Sequence, residues 1–125
     1  MNIPSDLKYS NDHEWVRVDG ETVTIGITDF AQGELGDVVF VELPSPGDSF
    51  DKGDVAGTIE AVKTVADIFL PVGGTVAEVN EQLEDNSDLI NQDAFGEGWI
   101  LKVTMSDSAE LDDLLDAEGY KAVIS

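Results

Sequence analysis

Lys63 is the residue whose type and place best suit chemistry. It falls within Gly57-Thr58-Ile59-Glu60-Ala61-Val62-Lys63-Thr64-Val65-Ala66-Asp67-Ile68. Two strands meeting at Ala61 to Thr64 would set this lysine on the tip of a tight turn. An amine there stands clear of the body, on backbone anchored at both ends, where a second enzyme can grasp and acylate it. A long acyl group then becomes an arm that swings from a fixed base, and placement of the reacting end is much of what a carrier supplies. Lysines in turns are ordinarily plain surface groups. Three features set Lys63 apart. It is one of five lysines in a very acidic chain, it lies between β-branched runs rather than in a polar loop, and turns at Pro46-Gly47 and Pro71 to Gly74 bracket it.

Other chemistries find little to work with. The chain has no cysteine, which removes disulfides, thiolate metal sites and a cysteine nucleophile together. His13 is the only histidine, so a zinc site on several histidines is excluded, no metal ligand set is expected, and an independent hydrolase lacks a convincing pair of nucleophile and base. The 27 acidic and 6 basic residues give a net charge of −21. That argues against nucleic acid, whose phosphates need clustered Lys and Arg, and against an anionic membrane surface. It suits solubility, an electropositive partner, or a high-salt cytoplasm that screens self-repulsion. No apolar run reaches the roughly 18 residues of a membrane-spanning helix. Met1 to Lys8 lacks the basic-then-apolar plan of a signal peptide, so a cytoplasmic location is the expectation.

The elements that must position Lys63 are mostly short strands. Glu14 to Val18 and Thr22 to Ile27 flank Asp19-Gly20, a hairpin signal. Thr28-Asp29 can cap a short helix over Phe30 to Leu35, with Gly36 as its stop. Val38 to Leu43 reads as a buried strand ended by Pro44 and Pro46-Gly47, and Asp48 to Asp54 as turns around Gly53. Val55 to Glu60 and Val65 to Leu70 are the two strands about Lys63. Thr75 to Val79 and Trp99 to Met105 are further strands, with helix around Glu81 to Glu84 between them. The tail, Ser106 to Ser125, carries Leu111, Leu114, Leu115, Ala122 and Val123 at helical spacing, with Ser106 or Asp107 as cap and Asp112, Asp113 and Asp116 on its wet side. Gly119 is expected to divide it into two helices. The two proline-and-glycine turns, each leading to an apolar residue on either side of segment 55–70, suggest a sandwich of two sheets with approximate two-fold symmetry. One domain spans 1–125, with a core about 14–105 and a helical segment about 106–125.

Thr58-Ile59-Glu60-Ala61-Val62-Lys63, followed by Asp67 and Pro71, resembles the lipoylation segment of glycine cleavage H proteins. Leu7-Lys8-Tyr9 and His13-Glu14-Trp15-Val16 are similar to that family's start. Gly26-Ile27-Thr28-Asp29, Ala31-Gln32 and Leu35 to Pro44 follow in order, and Gly96-Glu97-Gly98-Trp99 with the acidic, leucine-bearing tail complete a likeness that covers nearly the whole chain.

The resemblance implies a mainly β fold: a lipoyl-domain-like β sandwich, or barrel-sandwich hybrid, with short helices and a helical C-terminal tail. It implies lipoate amide-linked to Lys63, within a lipoylation motif of Glu60, Val62 and Asp67. The arm would take the aminomethyl group of glycine on a pyridoxal-phosphate glycine decarboxylase (P protein). It would deliver the one-carbon unit on an aminomethyltransferase (T protein) that uses tetrahydrofolate, and be reoxidised by a dihydrolipoyl dehydrogenase (L protein). A lipoate-attaching enzyme would install it, and the carrier itself would not be an enzyme. The loaded arm is expected to fold back beside His13 and Glu14, with Glu14 or Asp67 attracting its protonated amine. Ala61 stands where the family usually has serine, and Thr64, Leu70 and Gly73 are local variants; none removes the acceptor amine. The alternatives are an H-like protein that relays lipoyl groups to other enzymes, or a lipoyl or biotinyl domain of another complex. Biotin carriers place methionine on each side of the lysine, where Val62 and Thr64 stand here.

Overall fold

The computed structural model describes residues 3–124. Nine strands form two antiparallel sheets. Six of them, β1 (Lys8–Tyr9), β2 (Glu14–Asp19), β3 (Thr22–Ile27), β9 (Leu101–Met105), β8 (Gly74–Val79) and β5 (Ser49–Phe50), lie in that spatial order. The other three, β4 (Val38–Glu42), β6 (Val55–Ala61) and β7 (Val65–Phe69), form the second sheet in the order β4-β6-β7. Short helices α1 (Asp29–Leu35), α2 (Gln82–Asp85) and α3 (Leu89–Gln92) lie between strands. A 3₁₀ turn (Ser108–Asp113) and α4 (Ala117–Ile124) close the chain. The mainly β, two-sheet architecture with a helical tail is the one expected.

Alternation along the strands builds the core. Val16, Val23, Ile25, Val76, Leu101 and Val103 from the larger sheet meet Val38, Val41, Ile59 and Ile68 from the smaller one, and Leu83 and Ile90 of α2 and α3 join the cluster. Trp15 points the other way from Val16. It joins Leu7, Tyr9, Ala117 and Tyr120 in a second cluster that the C-terminal segment covers. The two segments flanking the β6–β7 hairpin, each after a proline-and-glycine turn, pair directly, Ser49 with Thr75 and Phe50 with Gly74.

Several boundaries differ from expectation. Lys8–Tyr9 and Ser49–Phe50 are strands of two residues each, and α3 is a second short helix beyond the one expected around Glu81 to Glu84. The β2–β3 turn is Gly20-Glu21, one residue later than Asp19-Gly20, because Asp19 pairs with Thr22. Gly119 does not divide the tail. Its amide donates to Asp116 Oδ1 at 2.7 Å, within the first turn of α4. The interruption falls instead at Leu115, which exchanges two backbone hydrogen bonds with Tyr9 at 2.8 and 2.7 Å and so extends the edge of the larger sheet. Val123 is exposed and Ala122 lies on the same outer side, while Ala117 and Tyr120 face inward.

Candidate functional site

Lys63 stands on the tip of the β6–β7 hairpin. β6 ends at Ala61 and β7 begins at Val65, so Val62, Lys63 and Thr64 make the turn, all three exposed. Glu60 pairs with Val65, and the Ala61 amide donates to the Thr64 carbonyl at 2.8 Å, closing the turn. Val62 N–H donates to the Asp37 carbonyl at 3.0 Å, which ties the tip to the segment between α1 and β4. Asn91 of α3 holds that segment in turn. Its side chain accepts from Val38 N at 2.9 Å and donates to the Gly36 carbonyl at 2.8 Å. The base of the hairpin tip is therefore fixed from two directions.

The lysine stem lies against Gly36, the stop of α1. Gly36 has φ +79°, and a β-carbon there would stand 3.3 Å from Lys63 Cε. Among the described residues Lys63 has no ion pair, whereas Lys52, Lys102 and Lys121 each have one. Glu60 and Val62 of the motif lie on the open surface around the lysine, with Val62 75% exposed.

Beside the hairpin runs a groove of about 470 Å³, walled by His13 and Glu14 at the start of β2, by Ile27, by Phe30, Ala31, Glu34 and Leu35 of α1, and by Ile59, Ala66 and Asp67 of the hairpin. Its α1 wall ends at Leu35, the neighbour of the Gly36 on which the Lys63 stem rests. Lys63, His13, Glu14 and Asp67 thus gather about one hairpin and the groove at its side. Glu60 and Val62 do not line that groove.

Glu14 is not a surface acid. Only 1% of it is exposed. Oε1 accepts from the Ser10 hydroxyl at 2.7 Å and Oε2 from Phe69 N–H at 3.2 Å. Burial pushes its carboxyl up to about 8, and the nearby Asp12 charge adds to this, while the two donors offset part. At neutral pH the carboxyl is therefore mostly protonated in the free protein. His13 has φ +67°, the one positive value among the described residues other than glycine. Its Nδ1 lies 2.9 Å from the Tyr120 hydroxyl and its ring packs against Phe30 at 5.0 Å. Sequence reasoning missed Ser10, Phe69 and Tyr120, which hold Glu14 and His13 from behind the groove, each brought to its partner by a contact distant in the chain or by a turn with no local pattern of its own.

The family model described as "Glycine cleavage H-protein" matches residues 7–125. The glycine cleavage system H protein of Bacteroides fragilis is 54% identical over 125 residues, covering 100% of this chain and 99% of that relative. The one from Symbiobacterium thermophilum is 56% identical over 121 residues, covering 97% of this chain and 94% of that protein. Among solved structures, a glycine cleavage system H protein from Mycobacterium marinum superimposes with a TM-score of 0.88 at 37% identity, covering 96% of this chain and 97% of that one. With a family match over nearly its whole length and relatives above half identity, this chain belongs to the glycine cleavage H-protein family.

Proposed function

We propose that this protein carries lipoate on Lys63 and serves the glycine cleavage system as its mobile carrier, without catalysing a step itself. The reading is carried by one observation: a lone exposed amine on a doubly anchored hairpin tip, with a groove beginning at its base. The residues present fit such an arm. The attachment amine is exposed among Val62 and Thr64, and the groove offers apolar walls in Ile27, Phe30, Ala31, Leu35 and Ile59 with polar groups at the His13–Glu14 end. Bound there, lipoate supplies a dithiolane that opens to take the aminomethyl group of glycine.

The chain's own residues then do three things. The hairpin holds the attachment nitrogen in one place, so a partner that grips the tip finds the arm's base at a known position. The apolar walls exclude water from whatever lies in the groove. Glu14 stores a proton on its carboxyl while the groove holds no cation. A cation placed against it favours the carboxylate, so the proton leaves to solvent and a charged, water-poor pair forms. Asp12, Glu34 and Asp67 add further carboxylates at the groove's edge, and His13 supplies a ring at the Glu14 end.

The partners on this reading are the glycine decarboxylase, the aminomethyltransferase, the dihydrolipoyl dehydrogenase and a lipoate-attaching enzyme, met in the cytoplasm. Among the described residues no helix is long and apolar enough to cross a membrane. The test is Lys63→Arg, which keeps the charge. Incubated with a lipoate-attaching enzyme and then with the three other partners, the variant should accept no lipoyl group and support no glycine-dependent NADH formation, with an unchanged thermal midpoint. Lipoylation persisting in the variant would overturn the assignment.

A further inference from the structure

His13 and helix α1 wall the same groove from different parts of the chain, and one buried hydroxyl from a third part joins them. Tyr120 of α4 is fully buried, its ring stacked on Tyr9 with centroids 4.7 Å apart. Its hydroxyl lies 2.9 Å from His13 Nδ1 and 2.7 Å from Thr28 Oγ1. Thr28 is the N-cap of α1, its Oγ1 accepting from Ala31 N at 3.2 Å.

The direction of this chain follows from counting donors. Thr28 is 1% exposed, and among the described residues its hydroxyl has no acceptor other than the Tyr120 oxygen. A buried hydroxyl proton left without an acceptor costs free energy. Thr28 therefore donates to Tyr120, and Tyr120 donates to His13 Nδ1. The neutral imidazole then carries its proton on Nε2.

The backbone gives an independent reason for such a tether. A residue other than glycine at φ +67° is strained and persists only where its surroundings hold it. His13 is held by its carbonyl, which accepts from Thr28 N at 2.9 Å, by the Phe30 ring, and by Tyr120.

We propose that Tyr120 is a positioning residue for the groove: through its hydroxyl, α4 holds His13 and the first turn of α1 where they wall the seat of the arm. The C-terminal helix is then part of the carrier site although it touches neither Lys63 nor the groove itself. This rests on the groove being the seat of the lipoyl arm.

Tyr120→Phe removes the hydroxyl and keeps the stack. Tyr9→Phe is the matched control, since it removes a hydroxyl from the same stack, one that donates to the Pro4 carbonyl and does not meet His13. His13 is the only histidine, so its ring nitrogens can be read without assignment. In Tyr120→Phe the ¹⁵N resonance of Nδ1 should shift and the ring should become mobile. The carried aminomethyl unit should also be lost to water about threefold faster or more, with no partner enzyme present. Tyr9→Phe should change neither quantity, even where it lowers the thermal midpoint. Equal loss rates in Tyr120→Phe and the parent protein would overturn the proposal, whatever the ring resonances do, and so would equal changes in both variants. Failure of the parent protein to accept lipoate or the aminomethyl unit would instead count against the carrier reading, and the histidine spectrum would still report the tether.

Discussion

Glu14 couples the groove to pH, and the sign follows from its burial. The ordinary value for such a carboxyl is near 4.5, and in the folded protein it is pushed up to about 8, first by desolvation. Both states are protonated at low pH, so the contribution of this group to stability is complete below about 4.5 and is lost as pH rises through about 8. The whole difference is bounded by about 5 kcal/mol. The other acids also repel one another more as pH rises, so the group must be isolated by difference. Glu14→Gln should show a shallower fall in denaturation midpoint between pH 5 and 8 than the parent protein. Parallel curves would mean that the carboxyl titrates normally. At this scale the place of Lys63 on a hairpin tip was legible from local pattern, since the strands about it and the turns that bracket it lie within thirty residues. Glu14 and His13 were legible only through resemblance. Nothing near Glu14 announces a buried acid: its donors are Ser10, in a turn that folds back, and Phe69, fifty-five residues on.

Among the elements, the stop of α1 is the joint that the lysine leans on. Gly36 takes φ +79° and ψ −154°, a conformation open essentially to glycine, and its amide donates to the Gln32 carbonyl. Gly36→Ala adds backbone strain of about 1–3 kcal/mol and sets a methyl group against the Lys63 stem. It should lower the thermal midpoint and slow lipoylation of Lys63, measured as initial rate with the lipoate-attaching enzyme. A midpoint equal to the parent's would contradict the geometry. The longer strands were readable because alternation and turn residues mark them: β2, β3, β6, β7, β8 and the α1 cap at Thr28 stand within a residue or two of expectation. Lys8–Tyr9 and Ser49–Phe50 were not, since two residues carry no period and become strands only when Val16, Trp15, Gly74 and Thr75 offer hydrogen bonds. Gly119 misled for a similar reason. A glycine inside a helix is costly, but in the first turn its amide is one that needs an outside acceptor, and Asp116 provides it.

For the molecule as a whole, charge was the plainest thing in the sequence, and the structure gives it little internal relief. Among the described residues three ion pairs, Lys52–Asp113, Lys102–Glu78 and Lys121–Glu118, use half of the six cations and leave most of the 27 acids without an ion pair. All three are exposed and contribute little individually. Screening should therefore stabilise the fold. Between about 0.01 and about 0.1 M salt the Debye length shrinks from about 30 to about 10 Å, and over that range the thermal midpoint should rise. Association with the glycine decarboxylase should slow over the same range if an electropositive partner is drawn in by the field. A flat response of both quantities would leave the −21 charge without a physical role in folding or encounter. Acylation of Lys63 takes the cations from 6 to 5 and the net charge from −21 to −22, so loaded and bare forms should separate on native gels.

The central claim, that Lys63 is the one attachment point for lipoate, is tested most directly by the intact mass of the protein made in its native host, followed by sequencing of the modified peptide. The account predicts a single lipoyl increment, located on Lys63 in the peptide containing Glu60 to Asp67, and its complete absence from Lys63→Arg. An increment on Lys8, Lys52, Lys102 or Lys121, or an unmodified Lys63 in cells actively cleaving glycine, would contradict it.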